Sequence, residues 1–262
     1  MSLTFYSLSS GSKGNCYLVT NGTTTVLVDA GISCKETTQC LQTLGLSPSD
    51  INGIIITHGH SDHYKGLDVL AGRHSIPVFT NSATWDEMNP YLKYAFKMKY
   101  NLFRTGDLLD IGDLKINTFA KLHDTRDPFG VTVIHQDSRA CVLTDIGRMT
   151  PAVLREIHET DLLVLESNHD RRMLDVGPYP EYLKARIRSD KGHLSNEDAA
   201  RTLVELFWNQ TRIKQVLLAH LSDENNRPEI ALATAQKALH QSKSILKLEV
   251  IHQHILSAPY HL

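Results

Sequence analysis

Apolar residues along the chain fall into short runs of strand length that alternate with stretches of helical spacing. Leu3 to Leu8 reads as a first strand, and the small residues Ser9-Ser10-Gly11-Ser12-Lys13-Gly14-Asn15 end it in a tight loop. That loop can serve as a phosphate nest or simply as a turn. Cys16 to Thr20 and Thr25 to Asp29 flank Asn21-Gly22, a strong hairpin signal. Ser33 to Leu44 has helical spacing and stops at Gly45. Gly53 to Ile56 follows with consecutive isoleucines, the mark of a strand buried on both faces. Asp62 to His74 predicts a helix, Ile76 to Thr80 a strand, the polar-aromatic stretch Asn81 to Tyr100 a helix, and Leu114 to Phe119 a strand.

The second half continues the alternation. Gly130 to His135 and Ala140 to Leu143 pair as strands, Pro151 to Glu159 is helical, and Asp161 to Leu165 is an apolar strand. After the break at Gly177-Pro178-Tyr179-Pro180, Glu181 to Ser189 predicts a helix. Ser195 caps a further helix running to Phe207, with Asp198 at the third position to answer it and Ala199, Ala200, Leu203, Val204 and Phe207 on its buried face. Gln215 to Ala219 is a core strand, and a helix from Pro228 to His240 and a strand from Ile245 to Ile251 close the pattern. In 262 residues this alternation predicts one α/β domain spanning 1–262, with two sandwiched sheets and outer helices.

Composition narrows the class. Hydrophobic content of 41% and charged content of 21% are those of a folded soluble chain. A formal net charge of −2 excludes a generally basic coat for nucleic acid and leaves room only for a local patch. Cys16, Cys34, Cys40 and Cys141 form no C-x-x-C pair and suggest no disulfide framework, so a reducing cytoplasm is the simplest home. Neither a signal peptide nor an apolar run of membrane-spanning length is present, and no membrane partner is expected.

The chemistry gathers after the isoleucine strand. His58-Gly59-His60-Ser61-Asp62-His63 places imidazoles and a carboxylate where a strand ends and a helix begins. Alternate residues of an extended turn point the same way, so His58 and His60 can grip one metal ion while Asp62 and His63 face a second. Downstream strands end in His123, Asp145, Glu166 and His220. Asp145 has two oxygens and can bridge two ions about 3.5–4 Å apart, or it can cap the following helix. Lys184, Arg186, Arg188 and Lys191 form a basic stretch that can meet phosphates or face solvent. His252 and His254 read as a plain strand end.

Together His58, His60, Asp62, His63, His123, Asp145 and His220 resemble, in type and order, the ligands of two-metal hydrolases of the metallo-β-lactamase superfamily. The resemblance implies an αββα sandwich of two mixed sheets flanked by helices. It places one ion on His58, His60 and His123, the other on Asp62, His63 and His220, and Asp145 between them. The interval from Asp145 to His220 is too short for a β-CASP insertion. Ser-Ser-Gly-Ser-x-Gly-Asn, Thr-Asp-x-Gly, Glu-Ser-Asn-His-Asp, Gly-His-Leu-Ser-Asn-Glu-Asp and Ala-His-Leu-Ser-x-Glu-Asn-Asn are similar to the YycJ (WalJ) branch. That branch implies a cytoplasmic 5′-to-3′ exonuclease on duplex DNA. The segment around His193 also resembles the proton-donating loop of tRNase Z, which gives His193 that role, with Glu166 or His169 to orient it and Asp62 counted among the catalytic residues. Zinc is the default metal, with manganese or iron suited to the same ligands. A small-molecule phosphodiesterase or thioesterase, or a non-catalytic regulator, is the competing reading.

Overall fold

A computed structural model describes residues 2–241 and 246–262. Strands β1 (Thr4–Ser9), β2 (Cys16–Thr20), β3 (Thr25–Val28), β4 (Gly53–Ile55), β5 (Val78–Asn81) and β6 (Tyr100–Phe103) lie side by side in that order in one sheet. Strands β7 (Leu108–Ile111), β8 (Leu114–Ala120), β9 (Phe129–His135), β10 (Ser138–Leu143), β11 (Leu162–Glu166), β12 (Gln215–Ala219) and β13 (Lys247–Val250) form the second, again in chain order. The chain then returns as β14 (Tyr260–His261), which pairs with β1. Each sheet is antiparallel on one side and parallel on the other, with β3 to β6 and β10 to β13 the parallel halves.

Period-two alternation sorts the side chains into layers. Val26, Val28, Ile55, Leu162 and Val164 point between the sheets, where they meet Phe5, Tyr17, Phe129 and Val131. Leu27, Ile54 and Ile56 point outward beneath α1 (Cys34–Thr43), α2 (Ser61–Tyr64), α3 (Leu67–His74) and α4 (Ser82–Met88), meeting Leu41, Tyr64, Leu67, Leu70 and Trp85. Leu163 and Leu165 do the same beneath α5 (Pro151–His158), α8 (Asn196–Trp208) and α9 (Pro228–Gln241). The short α6 (Arg171–Val176) and α7 (Glu181–Arg188) lie between β11 and α8 in the chain. The result is the expected four-layer αββα arrangement of mixed sheets. Truncating a fully buried member such as Ile54 to Ala removes about 2–5 kcal/mol.

Several boundaries differ from expectation. The helix read from Asp62 to His74 breaks into α2 and α3 because Gly66 N–H bonds Ala30 O across the loop instead of continuing the turn. Asn81 to Tyr100 is not one helix: α4 stops at Met88, Pro90 permits only 3₁₀ turns at Asn89–Tyr91 and Ala95–Lys97, and Tyr100 opens β6. Strands β6, β7 and β14 and helix α6 carried too little periodicity to predict. On α8 the Ser195 cap forms as read, with Asp198 N–H donating to Ser195 Oγ, but Leu206 takes the fully buried place expected of Phe207. The first residue of the strand read from Ile245 lies outside the described residues.

Candidate metal centre

Parallel strands end on the same side of a sheet, so their carboxyl-end residues collect at one rim. Asp29 follows β3, His58 follows β4, Asp145 follows β10, Glu166 ends β11 and His220 follows β12, while His123 arrives after β8. Asp29, Asp145 and His220 all hold left-handed backbone, with φ of 63°, 54° and 55°. Such conformations cost about 1–3 kcal/mol each and recur at functional sites. Two glycines permit the loops to close on one another. A Cβ on Gly31 would lie 1.6 Å from Asp62 O, and one on Gly147 would lie 2.4 Å from the backbone of Asp190.

The imidazoles converge. His58, His60 and His123 offer nitrogens within 4.8 Å of one another, and Asp62, His63, Asp145 and His220 form a second such group. His123 Nε2 is 3.2 Å from His60 Nδ1, and His63 Nε2 is 3.1 Å from Asp145 Oδ2. Asp145 Oδ1 is 4.0 Å from His58 Nε2 and 3.7 Å from His123 Nε2, so the carboxylate faces both groups. Asp62 Oδ2 lies 3.4 Å from His63 Nε2 and 3.7 Å from His220 Nε2.

Acceptors behind the rings fix which nitrogen faces inward. Nδ1–H of His63 donates to Asp29 Oδ2 at 2.7 Å, that of His123 to Gly192 O at 3.1 Å, and that of His220 to Glu166 Oε1 at 2.7 Å. His58 Nδ1–H donates to Thr57 Oγ1 at 3.0 Å, and Thr57 in turn donates to Asp29. Each of these rings is left with its Nε2 turned inward, the arrangement that outer-sphere partners impose on metal-binding histidines. His58 Nε2, His220 Nε2 and Asp145 Oδ2 are buried with no hydrogen-bond partner. Buried polar atoms are normally satisfied, and divalent cations at the two groups would satisfy these.

Charge supports the same fit. Burial holds His58 well below its usual range, reinforced by His63 and Lys121, and lowers His123 to about 4, so both stay neutral. Burial acts in the same direction on His63 and His220, yet there the carboxylates overrule it. Asp145, Asp29 and Asp62 raise His63 far above its usual value, and Asp145 leads the groups that raise His220 to about 10. The carboxylate-rich half holds protons where a cation fits.

His193 stands beside both groups, its ring centroid 5.1 Å from that of His123 and 5.4 Å from that of His220. Its Nδ1–H donates to Glu166 Oε1 at 2.9 Å. Glu166 also accepts from the backbone N–H groups of Asp145, Ile146 and Leu194. Burial pushes its carboxyl up, but His193 and His220 prevail and hold it well below the carboxylate range. His169 is buried and joined to Ser195 by a backbone bridge; its ring makes no hydrogen bond to His193. His252 and His254 join neither ligand group, and His254 sits 3.5 Å from Glu36. The Ser9 to Asn15 loop behaves as a turn, since the N–H groups of Gly11, Lys13, Gly14 and Asn15 are all taken by protein acceptors.

The basic stretch needs correction. Lys184 is buried, donates from Nζ to Asp175 O at 2.8 Å and lies 3.1 Å from Glu181, so it ties α7 to α6 and is closed to phosphate. Arg186 pairs with Asp124 and Arg188 with Asp175, which leaves Lys191 exposed at the end of the stretch. Sequence reading also passed over Asp29, Thr57, Asn15 and Lys121. Asn15 Nδ2 is 3.1 Å from His63 Nε2, and Lys121 Nζ donates to Thr144 O beside Asp145. The usable signal for Asp29 was a carboxylate at the end of an apolar strand, which β3 shares with β10.

The beta-lactamase superfamily domain matches residues 24–221, and the chain belongs to that superfamily. It is a metal-dependent hydrolase. More narrowly, it is 36% identical over 241 residues to exodeoxyribonuclease YycJ of Bacillus anthracis, covering 92% of this chain and 90% of that protein. It is equally 36% identical over 237 residues to exodeoxyribonuclease WalJ of Streptococcus pneumoniae, covering 90% and 87%. The metallo-beta-lactamase fold protein YhfI from Bacillus subtilis superposes with a TM-score of 0.76 over 98% of this chain and 100% of that one, at 16% identity. No helix among the described residues is long and apolar enough to cross a membrane.

Proposed function

We propose that the chain is a two-metal phosphodiesterase that degrades double-stranded DNA from the 5′ end as a cytoplasmic exonuclease. The observation that carries the reading is His193, held through Nδ1 by Glu166 with its ring beside those of His123 and His220 in the two ligand groups. The names of the YycJ and WalJ relatives support a nuclease, and the free state of Cys16, Cys34, Cys40 and Cys141 suits a reducing compartment. We read 1–262 as one domain without a β-CASP insertion.

His58, His60 and His123 would hold one ion, Asp62, His63 and His220 the other, and Asp145 would face both; zinc is our first choice and manganese or iron suits the same donors. Such ions, when bound, activate water and neutralise charge on phosphoryl oxygens. His193 then gives the proton that the leaving oxygen needs. Glu166, accepting from Nδ1, fixes the ring so that Nε2 is the nitrogen left for proton transfer. Asp62 reaches the solvent side of its group and orients what enters there.

The test is to incubate metal-reconstituted protein with end-labelled duplex DNA, single-stranded DNA, RNA and a small activated diester side by side. The reading expects a 5′ label on duplex DNA to appear at once in short products while a 3′ label moves down progressively. Hydrolysis of the small diester alone would leave a phosphodiesterase that is not a nuclease, and preference for RNA would replace the DNA assignment.

A further inference from the structure

Between Glu87 and Asp107 the chain carries Lys93, Lys97, Lys99 and Arg104 and no carboxylate. Among the described residues none of these cations forms an ion pair with a carboxylate, unlike Lys184, Arg186 and Arg188. Aromatic rings are interleaved with them. Phe96 is 80% and Tyr91 75% exposed, Tyr94 is 43% exposed, and Tyr100 stacks on Trp85 with centroids 4.3 Å apart. Lys97 Nζ lies 5.5 Å and 5.6 Å from the Tyr94 and Phe96 rings. Soluble proteins seldom leave rings of this size in water without a use.

The segment is held in place. Backbone N–H groups of Lys93 and Tyr94 donate to Asp68 of α3, and Tyr94 and Lys97 line a cavity of about 320 Å³ with Val69, Gly72 and Arg73. It also begins at the metal centre. Glu87, in the last turn of α4, packs against Gly59 between His58 and His60 and accepts Arg126 N–H. Tyr91 and Lys93 come four and six residues after Glu87 in the chain.

We propose that Tyr91, Lys93, Tyr94, Phe96, Lys97 and Lys99 form a subsite for an unpaired strand of nucleic acid, contiguous with the metal centre. The proposal rests on the nuclease reading, which supplies the polyanion. Open ring faces stack on bases, and the bases of a duplex have no free face to offer, so the occupant is single-stranded. A second copy of the chain is a poorer occupant, because pairing this face with itself would bring unneutralised cations together.

The experiment measures binding of a labelled oligothymidylate to the metal-loaded full chain by fluorescence anisotropy across salt concentrations. Tyr91→Ala/Phe96→Ala should raise Kd on the order of tenfold or more, and Tyr91→Trp/Phe96→Trp should restore it. Lys93→Gln/Lys97→Gln/Lys99→Gln should flatten the slope of log affinity against log salt by up to about 2, at about 0.7 per phosphate contact on a single strand. The preference for the oligonucleotide over a small activated diester, taken as a ratio of kcat/KM, should fall with the same variants. Unchanged Kd and slope in variants of a wild type that binds and cuts the strand overturn the subsite alone. A wild type that is dimeric in sedimentation, with a monomeric Tyr91→Ala/Phe96→Ala variant, overturns it in favour of a copy-to-copy interface. A wild type that cuts duplex DNA but neither binds nor cuts the oligonucleotide also overturns the subsite alone, whereas turnover of the small diester with no cleavage of duplex DNA or oligonucleotide overturns the nuclease reading and the subsite with it.

Discussion

His58 and His63 come from one turn, share the Asp29 anchor, and have ring centroids 4.0 Å apart, yet they belong to groups of opposite electrostatic character. The group of His58, His60 and His123 is all imidazole, and burial keeps His58 and His123 neutral. The group of His63 and His220 includes Asp62 and Asp145, and its rings hold protons well above their usual range. The first group thus presents lone pairs as it stands, whereas the second exchanges protons for a cation. Ligand count alone would make the groups near equivalents; buried carboxylates separate them.

The largest effect should come from the carboxylate that faces both groups. Asp145→Ala should lower bound zinc or manganese from about two equivalents to at most one, and turnover by at least about 10³-fold. Metal content held at two equivalents by elemental analysis would break the comparison at its centre. His193 lies outside both ligand groups, so His193→Ala should keep both ions while losing about 10²–10⁴ in turnover of a substrate with a poor leaving group. Equal loss of metal would make His193 a ligand instead.

Anchors behind the rings sharpen the contrast further. Asp29→Asn disturbs His63 directly and His58 through Thr57, so it should weaken metal affinity at both groups by about 10–100-fold. Thr57→Val removes the His58 acceptor directly and reaches His63 only through Asp29, so competition with a chelator should show the His58 ion weakened more than the other. Equal weakening of both ions by Thr57→Val would erase the distinction.

The smallest effect is in the pH dependence of the metal-free chain. His220, raised to about 10, contributes stability that is fully present below its unfolded value of about 6.5 and is lost as pH rises toward about 10. His123, lowered to about 4, works in the other direction: the folded chain resists its protonation, and stability falls as pH drops from about 6.5 toward about 4. Tm of metal-free protein should therefore peak near neutrality and fall by about 5 °C on each side. Metal-loaded protein should lose the alkaline slope, because the protons in question have already left. An alkaline slope that survives metal loading would assign it to other groups.

How much of this was readable in advance follows from the range over which each force acts. The αββα layering came with the family resemblance, whereas apolar runs such as Val26 to Val28 and Leu162 to Leu165 are written into neighbouring residues, so these strands were legible. So was the six-residue ligand turn, because ligand type and spacing are local. The stretch from Asn89 to Phe103 was not legible as a chain of 3₁₀ turns leading into a strand. Its aromatic and lysine residues keep no period, and β6 exists because β5 supplies its hydrogen-bond partner.

The fate of charges was equally hidden. Lys184 through Lys191 looks like a phosphate-binding stretch in one dimension, and Lys93 through Lys99 looks like part of a helix. Folding reverses their availability, since Asp124, Asp175 and Glu181 reach the first stretch and no carboxylate pairs with the second among the described residues. Likewise the choice between Glu166 and His169 as partner of His193 depends on a 2.9 Å contact between β11 and the loop before α8. Ligand chemistry and burial period reside in the order of residues; pairing, protonation and exposure depend on which distant groups the fold brings within a few ångströms.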